Sequence, residues 1–271
     1  EARQSITPHP GTITRTADPA PAGPRGRRRE QIGFHVKKGH GKYTAGRESN
    51  TVIAIDGPSA SGKSTVARRV ASKLGFIHVD SGALYRTVAW KAAAAGIPPS
   101  NARKLVKRLD GCDFKFVVRD QAVCFTIDGT DPAPFLRSGP VVETVSDVAA
   151  IPEVRIRVVR WLRLLTRFGN LVMEGRDIGS VVFPDTPFKF YLDADPAERA
   201  RRRAAEMAAA GKTDVESVRD SLASRDRRDS GRDTAPLRIA KGATVIDTTR
   251  MSLEEVVDTV IAHYRSFRKR S

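Results

Sequence analysis

The chain has 271 residues, 40% of them hydrophobic and 29% charged, the proportions of an ordinary globular protein of one large or two small domains. No apolar run approaches the roughly 18 residues of a membrane-spanning helix, and Cys112 and Cys124 alone make neither a disulfide framework nor a self-contained zinc site. A formal net charge of +16 points to polyanionic partners such as nucleic acid, nucleotides or an acidic surface.

Residues 1–50 contain scattered Pro and Gly, the run Arg27–Arg29, and ten Lys/Arg against four Asp/Glu. With no sustained apolar period, this stretch is expected to be a disordered basic leader. Its arginines leave organellar targeting open, but Asp18, Glu30 and the Pro and Gly interruptions argue against a transit peptide, and a cytoplasmic protein is the expectation.

From Thr51 the pattern alternates strand and helix. The β-branched run 51–55 reads as a buried parallel strand, followed by a Gly-rich turn and a helix over 63–74. A strand at 76–79 and a helix at 83–95 come next, then two strand-like runs at 114–118 and 123–127 that suggest a hairpin. A helix carrying Val154 to Leu165 leads into the strand 171–173, and 188–192 is a further strand. Charged helices at 197–210 and 214–228, a strand at 244–246 and a helix at 252–267 complete the series. This alternation implies a parallel sheet with helical crossovers, an α/β fold.

The most specific local signal is Gly57-Pro58-Ser59-Ala60-Ser61-Gly62-Lys63-Ser64-Thr65, which satisfies G-x-x-x-x-G-K-[ST] between a strand and a helix. Its glycines let successive N–H groups turn inward around phosphate oxygens, Lys63 reaches the terminal phosphates, and the Ser64 hydroxyl is placed to ligate Mg²⁺. The motif identifies a site for a nucleoside triphosphate. No Asn-Lys-x-Asp follows, so guanine recognition of the GTPase kind is unsupported. Asp193, at the end of an apolar run, is either a Walker-B-like acid or a simple strand end at a turn.

Three further clusters follow strand ends or lie in charged helix, where open α/β sheets gather ligand groups: Asp80-Ser81-Gly-Ala-Leu-Tyr85-Arg86, Glu174-Gly-Arg176-Asp177-Ile-Gly179, and Arg225 to Arg232 with Asp229 between. Several guanidinium forks beside a phosphate loop favour phosphoryl transfer, which depends on positioning and charge neutralisation.

Taken with Ser146-Asp-Val-Ala-Ala-Ile-Pro152 and Arg155, these motifs closely resemble the bacterial-type cytidylate kinases, P-loop kinases of nucleoside monophosphates, over about residues 51–264. The resemblance implies a P-loop NTPase fold with a central parallel sheet flanked by helices, an enlarged monophosphate-binding insertion at about 98–150 and a short lid at about 201–212. It implies that ATP, with Mg²⁺, phosphorylates CMP and dCMP. Arg86, Arg176 and Arg232, with Ser81 and Tyr85 nearby, would grip the acceptor phosphate. Ser146, Arg155 and Asp177 would read cytosine, and Arg225 and Asp229 would contact the sugar. Lys63, Arg176 and the lid residues Arg202 and Arg203 would stabilise charge on the transferring group, and Asp80 and Glu174 are further candidates to stand near Mg²⁺. A monomer is implied; no membrane partner is expected, and no nucleic acid except through the basic leader, about which the resemblance says nothing. Two other readings stay open: a P-loop kinase for a different small acceptor, and a nucleic-acid-binding ATPase suggested by the charge.

Overall fold

The computed structural model describes residues 14–15, 32–36, 50–208 and 215–268. In chain order the elements are β1 (Thr14–Arg15), β2 (Ile32–Val36), β3 (Val52–Asp56), α1 (Lys63–Leu74), β4 (Ile77–Asp80), α2 (Ser81–Ala94) and α3 (Ala102–Asp110). They continue with β5 (Phe114–Arg119), β6 (Ala122–Ile127), α4 (Gly139–Ala150), α5 (Pro152–Leu164), β7 (Leu171–Gly175) and β8 (Lys189–Asp193). The chain ends with α6 (Pro196–Ala208), α7 (Val215–Ser230), β9 (Thr244–Asp247) and α8 (Leu253–Arg268).

One nine-stranded sheet runs in the order β1-β2-β5-β6-β4-β7-β3-β8-β9. Its heart, β4-β7-β3-β8-β9, is parallel throughout. The β3 run Val-Ile-Ala-Ile-Asp is buried at every position because helices cover both faces of the sheet. Its side chains alternate between two cores. Val52 and Ala54 pack with Leu171 and Met173 beneath α2, α4 and α5, while Ile53 and Ile55 pack with Val172, Phe190 and Leu192 beneath α1 and α8.

The sheet is mixed rather than purely parallel, since β1, β2, β5 and β6 pair antiparallel with one another. Of these, β5 and β6 form the expected antiparallel hairpin, closed by Asp120 and Gln121 at φ 47° and 59°, the conformation of a tight primed turn. Residues 98–150 also contain α3 and α4, helices that the sequence pattern did not indicate. Within the leader, β2 pairs antiparallel with β5 at Gly33–Val36, so the expectation of a structureless leader does not extend to that segment; most of residues 1–49 lie outside those described. The expected lid overlaps the end of α6, and its residues 209–212 likewise lie outside the described residues. Among the described residues, no helix is long and apolar enough to cross a membrane.

Candidate active site

The phosphate loop leaves the carboxyl end of β3 and wraps the start of α1. Gly57 lies at φ 149°, and a Cβ there would meet the Leu192 carbonyl oxygen of β8 at 2.0 Å, so the turn lies too close to the neighbouring strand for any side chain. Gly62 caps α1 in the left-handed region at φ 86°. Lys63 is buried, and its Nζ donates to the Pro58 carbonyl at 2.5 Å and to Ser61 Oγ at 3.3 Å. Burial, followed by the Arg176 guanidinium and opposed by Glu174, pushes its ammonium down to about 7. An anion among these cations relieves that repulsion, which is the chemistry of a phosphate site.

Ser64 Oγ donates to Glu174 Oε2 at 2.6 Å, and His78 Nε2 lies 3.3 Å from Glu174 Oε1. A hydroxyl and a carboxylate oxygen beside a phosphate cradle form a donor set suited to Mg²⁺, which takes one or two protein oxygens and completes its shell with phosphate and water. Asp80 is engaged elsewhere: its Oδ1 accepts from the Ala83 amide at 2.9 Å and its Oδ2 from Arg86 at 2.8 Å, so it caps α2 and orients that arginine. Asp193 is exposed and accepts from the adjacent Ala194 amide, as a strand end at a turn does. Among the described residues, no group of three His, Cys, Asp or Glu gathers as a self-contained metal cage.

A cleft of about 320 Å³ joins this loop to the residues of the second constellation. Arg155 (3% exposed) and Asp177 (4%) form a buried ion pair; Arg155 also donates to the Ala149 carbonyl at 3.0 Å and lies over the Tyr85 ring at 5.3 Å. Ser146 Oγ donates to Asp229 Oδ1 at 3.2 Å, and Arg176 Nε donates to Asp229 Oδ2 at 3.0 Å. Burial alone would raise Asp229, but Arg176, Arg232 and Arg225 outweigh it and hold the carboxyl below its usual range. Arg225, Asp229 and Arg232 recur at helical spacing along the end of α7 and just beyond it, so one surface presents them all.

Five buried donors around this cleft, Tyr85 Oη, Arg86 Nε, Arg155 Nε, Arg225 Nε and Arg232 Nη2, have no hydrogen-bond partner among the described residues. Burial, with Arg176 next, pushes Arg225 down to about 10. Orphaned donors of this kind cost free energy unless an external acceptor meets them, and a ligand rich in oxygen acceptors would supply one.

The loop that carries Arg176 and Asp177 is anchored from the other side of the site. Asp56, the last residue of β3, accepts the Ile178 amide at 2.8 Å on one oxygen and the Gly179 amide at 2.8 Å on the other. Burial pushes its carboxyl up to about 7 against the pull of those two amides.

A second cleft of about 570 Å³ opens on the far side of the phosphate loop, between Gly62, Thr65 and the segment 248–253. Arg202 lies along it, donating to the Thr248 carbonyl at 2.7 Å and to Glu198 at 2.8 Å. Arg203 instead lines the first cleft and pairs with Glu206 at 2.9 Å. The two arginines therefore serve different clefts.

Most of the expected residues thus come together in the first cleft, while Ser61 and Arg202 line the second and Gly57 and Pro58 line neither. Ser59, Ala60, Gly62, Lys63, Ser64 and Thr65 line the first cleft, as do Ser81, Tyr85, Arg86, Ser146, Arg155, Arg176, Asp177, Arg225, Asp229 and Arg232. Ser81 Oγ donates to the Glu174 carbonyl at 2.7 Å, which fastens the start of α2 to β7. Sequence reasoning missed Leu136 and Arg137, which line the first cleft, and Thr248 to Leu253, which line the second. It also missed Asp56, whose role depends on a partner segment more than 120 residues away.

The cytidylate kinase family model matches residues 53–266. Among curated relatives, the cytidylate kinase of Geobacter sulfurreducens is 42% identical over 79% of this chain and 92% of its own length. That of Geobacillus kaustophilus is 41% identical over 77% and 94%. That of Symbiobacterium thermophilum is 41% identical over 79% and 96%. With the phosphate loop and the arginine-lined cleft in one α/β sheet, these matches establish that the chain belongs to the cytidylate kinase family.

Proposed function

We propose that this chain transfers the γ-phosphoryl group of ATP to the phosphate of CMP or dCMP, giving the diphosphate and ADP, within a kinase unit of residues 51–271. The observation that carries the reading is the buried Arg155–Asp177 pair beside Ser146, in the cleft that also opens on the phosphate loop. Cytosine presents an exocyclic amine beside ring-nitrogen and carbonyl acceptors. A site offering one carboxylate and one cationic donor suits that edge. Uracil, with a carbonyl in place of the amine, meets Asp177 with mismatched polarity, at about 1–3 kcal/mol per unpaired buried group.

The orphaned guanidinium donors of Arg86 and Arg232, with Arg176 beside them, are the natural grip for the acceptor phosphate, and Arg225 and Asp229 for the sugar. Lys63 and Arg203 line the first cleft and would neutralise charge on the group in flight. The second cleft, with Arg202 along its wall, is of a size and position to receive the donor base. The acceptor phosphate is already nucleophilic near neutral pH, so the reaction requires no general base. Ser64 and Glu174 would hold Mg²⁺, which when bound supplies charge neutralisation on the donor phosphates. The chain's own part is to align the two nucleotides in line, exclude water from the cleft, and match the developing charge with fixed cations.

Coupled ADP release with ATP, Mg²⁺ and a panel of CMP, dCMP, UMP, AMP, GMP and dTMP tests this. Turnover should concentrate on CMP and dCMP. Equal turnover across the panel, or ATP consumed only when RNA or DNA is added, would overturn it.

A further inference from the structure

Ser59 is the third residue of the phosphate loop, and all three of its polar groups are held by side chains from outside the loop. Its amide donates to Asp226 Oδ1 at 3.2 Å. Its carbonyl accepts from Arg199 Nη1 at 3.2 Å, and its hydroxyl from Arg176 Nη2 at 2.7 Å. Arg199 on α6 and Asp226 on α7 are themselves ion-paired, and Arg199 Nε also donates to the Ala194 carbonyl beyond β8 at 3.1 Å. One turn along α7 from Asp226, Asp229 accepts from Arg176 at 3.0 Å. The bonds close a ring that leaves Ser59 through its amide, passes through Asp226, Asp229 and Arg176, and returns through the Ser59 hydroxyl. Arg199 and Asp226 line neither cleft.

We propose that Asp226, supported by Arg199, is a positioning residue that couples the acceptor site to the donor site, so that each nucleotide strengthens binding of the other. The inference rests on the kinase reading above. Its physical basis is that α7 carries two sets of groups on one rigid turn. Arg225 and Asp229 face the acceptor cleft, whereas Asp226 holds the backbone of the loop that cradles the donor. A nucleotide that settles α7 also settles Ser59, and a triphosphate that orders the loop also orders the turn bearing Arg225 and Asp229. Coupling of this kind is reciprocal: the factor by which the donor tightens the acceptor equals the factor by which the acceptor tightens the donor.

The test is calorimetric titration of CMP into the full chain, with and without Mg²⁺ and the β,γ-imido analogue of ATP, followed by the converse titration. The wild-type protein should show the same factor in both directions, about 10-fold, within the usual range for coupled sites. Asp226→Ala should bring that factor to within about 2-fold of unity, while Kd for CMP alone moves by less than about 3-fold because Asp226 does not line the cleft. Asp226→Asn keeps an oxygen for the Ser59 amide and should restore part of the coupling, which a loss of general stability would not do. If Asp226→Ala fails to fold, Arg199→Ala carries the same reading. A wild-type factor of one, or a full factor retained in Asp226→Ala or Arg199→Ala, would overturn the coupling. A chain that neither binds nor phosphorylates CMP would instead refute the kinase reading, so the two failures are distinguishable.

Discussion

The donor side of the first cleft is built largely from the consecutive residues 57–65, whereas its acceptor side draws on five segments scattered between Asp80 and Arg232. The phosphate loop works through its backbone. Two left-handed glycines and the start of α1 set the cradle, Lys63 and Ser64 add side-chain chemistry, and the Ser59 and Ser61 hydroxyls brace the turn. The acceptor side works through side chains that pair with one another across the fold, as Arg155 does with Asp177 and Arg176 with Asp229. A local site and a distributed site should therefore fail differently. Changes on the donor side should affect rate with little loss of fold, and changes on the acceptor side should affect rate and fold together.

The widest separation is expected from Asp177→Ala set against Lys63→Met. Removing Asp177 leaves the Arg155 guanidinium 3% exposed and without its carboxylate. Breaking a buried pair in this way costs about 3–5 kcal/mol of stability, which urea unfolding would register alongside the loss of CMP turnover. Lys63→Met should lower kcat by about 10²–10³-fold, as expected for a lost charge-stabilising donor. Its Tm should stay at or above that of the wild type, because burial and Arg176 already weigh against this ammonium. Equal destabilisation by the two variants would break the contrast.

Asp56 sharpens the comparison, since it belongs to the donor strand but holds the acceptor loop. Its folded carboxyl is raised from 3.8 to about 7. Between about pH 4 and pH 7 the folded chain retains a proton that the unfolded chain has released, so this group's contribution to stability declines as pH rises through that window and is level above it. Relative to Asp56→Asn, the wild type should lose roughly 2 kcal/mol between pH 5 and pH 7. Urea unfolding at the two pH values measures this. A constant difference would mean that the Ile178 and Gly179 amides keep the carboxylate charged throughout.

The same contrast explains what could be read from the amino acids. The phosphate loop, β3 and the strand–helix alternation of the parallel core were legible because each is a short consecutive pattern with one dominant cause. The clusters around Arg86, Arg176 and Arg225 were legible as charged groups, but their roles and the place of Ser146 came only through family likeness, since nothing near Ser146 indicates that it meets Asp229, 83 residues further along the chain. Helix α4 escaped notice because Gly139-Pro140 and its Val and Thr residues have weak helix propensity; packing of Val141, Val145 and Val148 into the core sustains it. Helix α3 was hidden by charge, since only Leu105 and Leu109 are buried along its nine residues. The second cleft was invisible for a different reason: Thr248 to Leu253 are ordinary residues after a strand, and their significance lies in being folded against Gly62.

The smallest effect expected is at the mouth of the acceptor cleft, where Phe135 stacks on Trp90 with ring centroids 5.1 Å apart and planes 8° from parallel. Phe135 is 43% exposed, so its stability contribution is modest, but the next two residues, Leu136 and Arg137, line the cleft. The loop is also tied back by Lys91, whose Nζ lies 2.6 Å from Asp128 Oδ2. Phe135→Ala removes a stacked pair worth about 0.5–1.5 kcal/mol beyond its buried area, which should raise KM for CMP by roughly 2- to 10-fold. KM for ATP should not move, because this loop does not reach the second cleft. Phe135→Tyr keeps the ring and should keep the KM, whereas a rise in both KM values would show that the loop supports the whole cleft rather than its acceptor side.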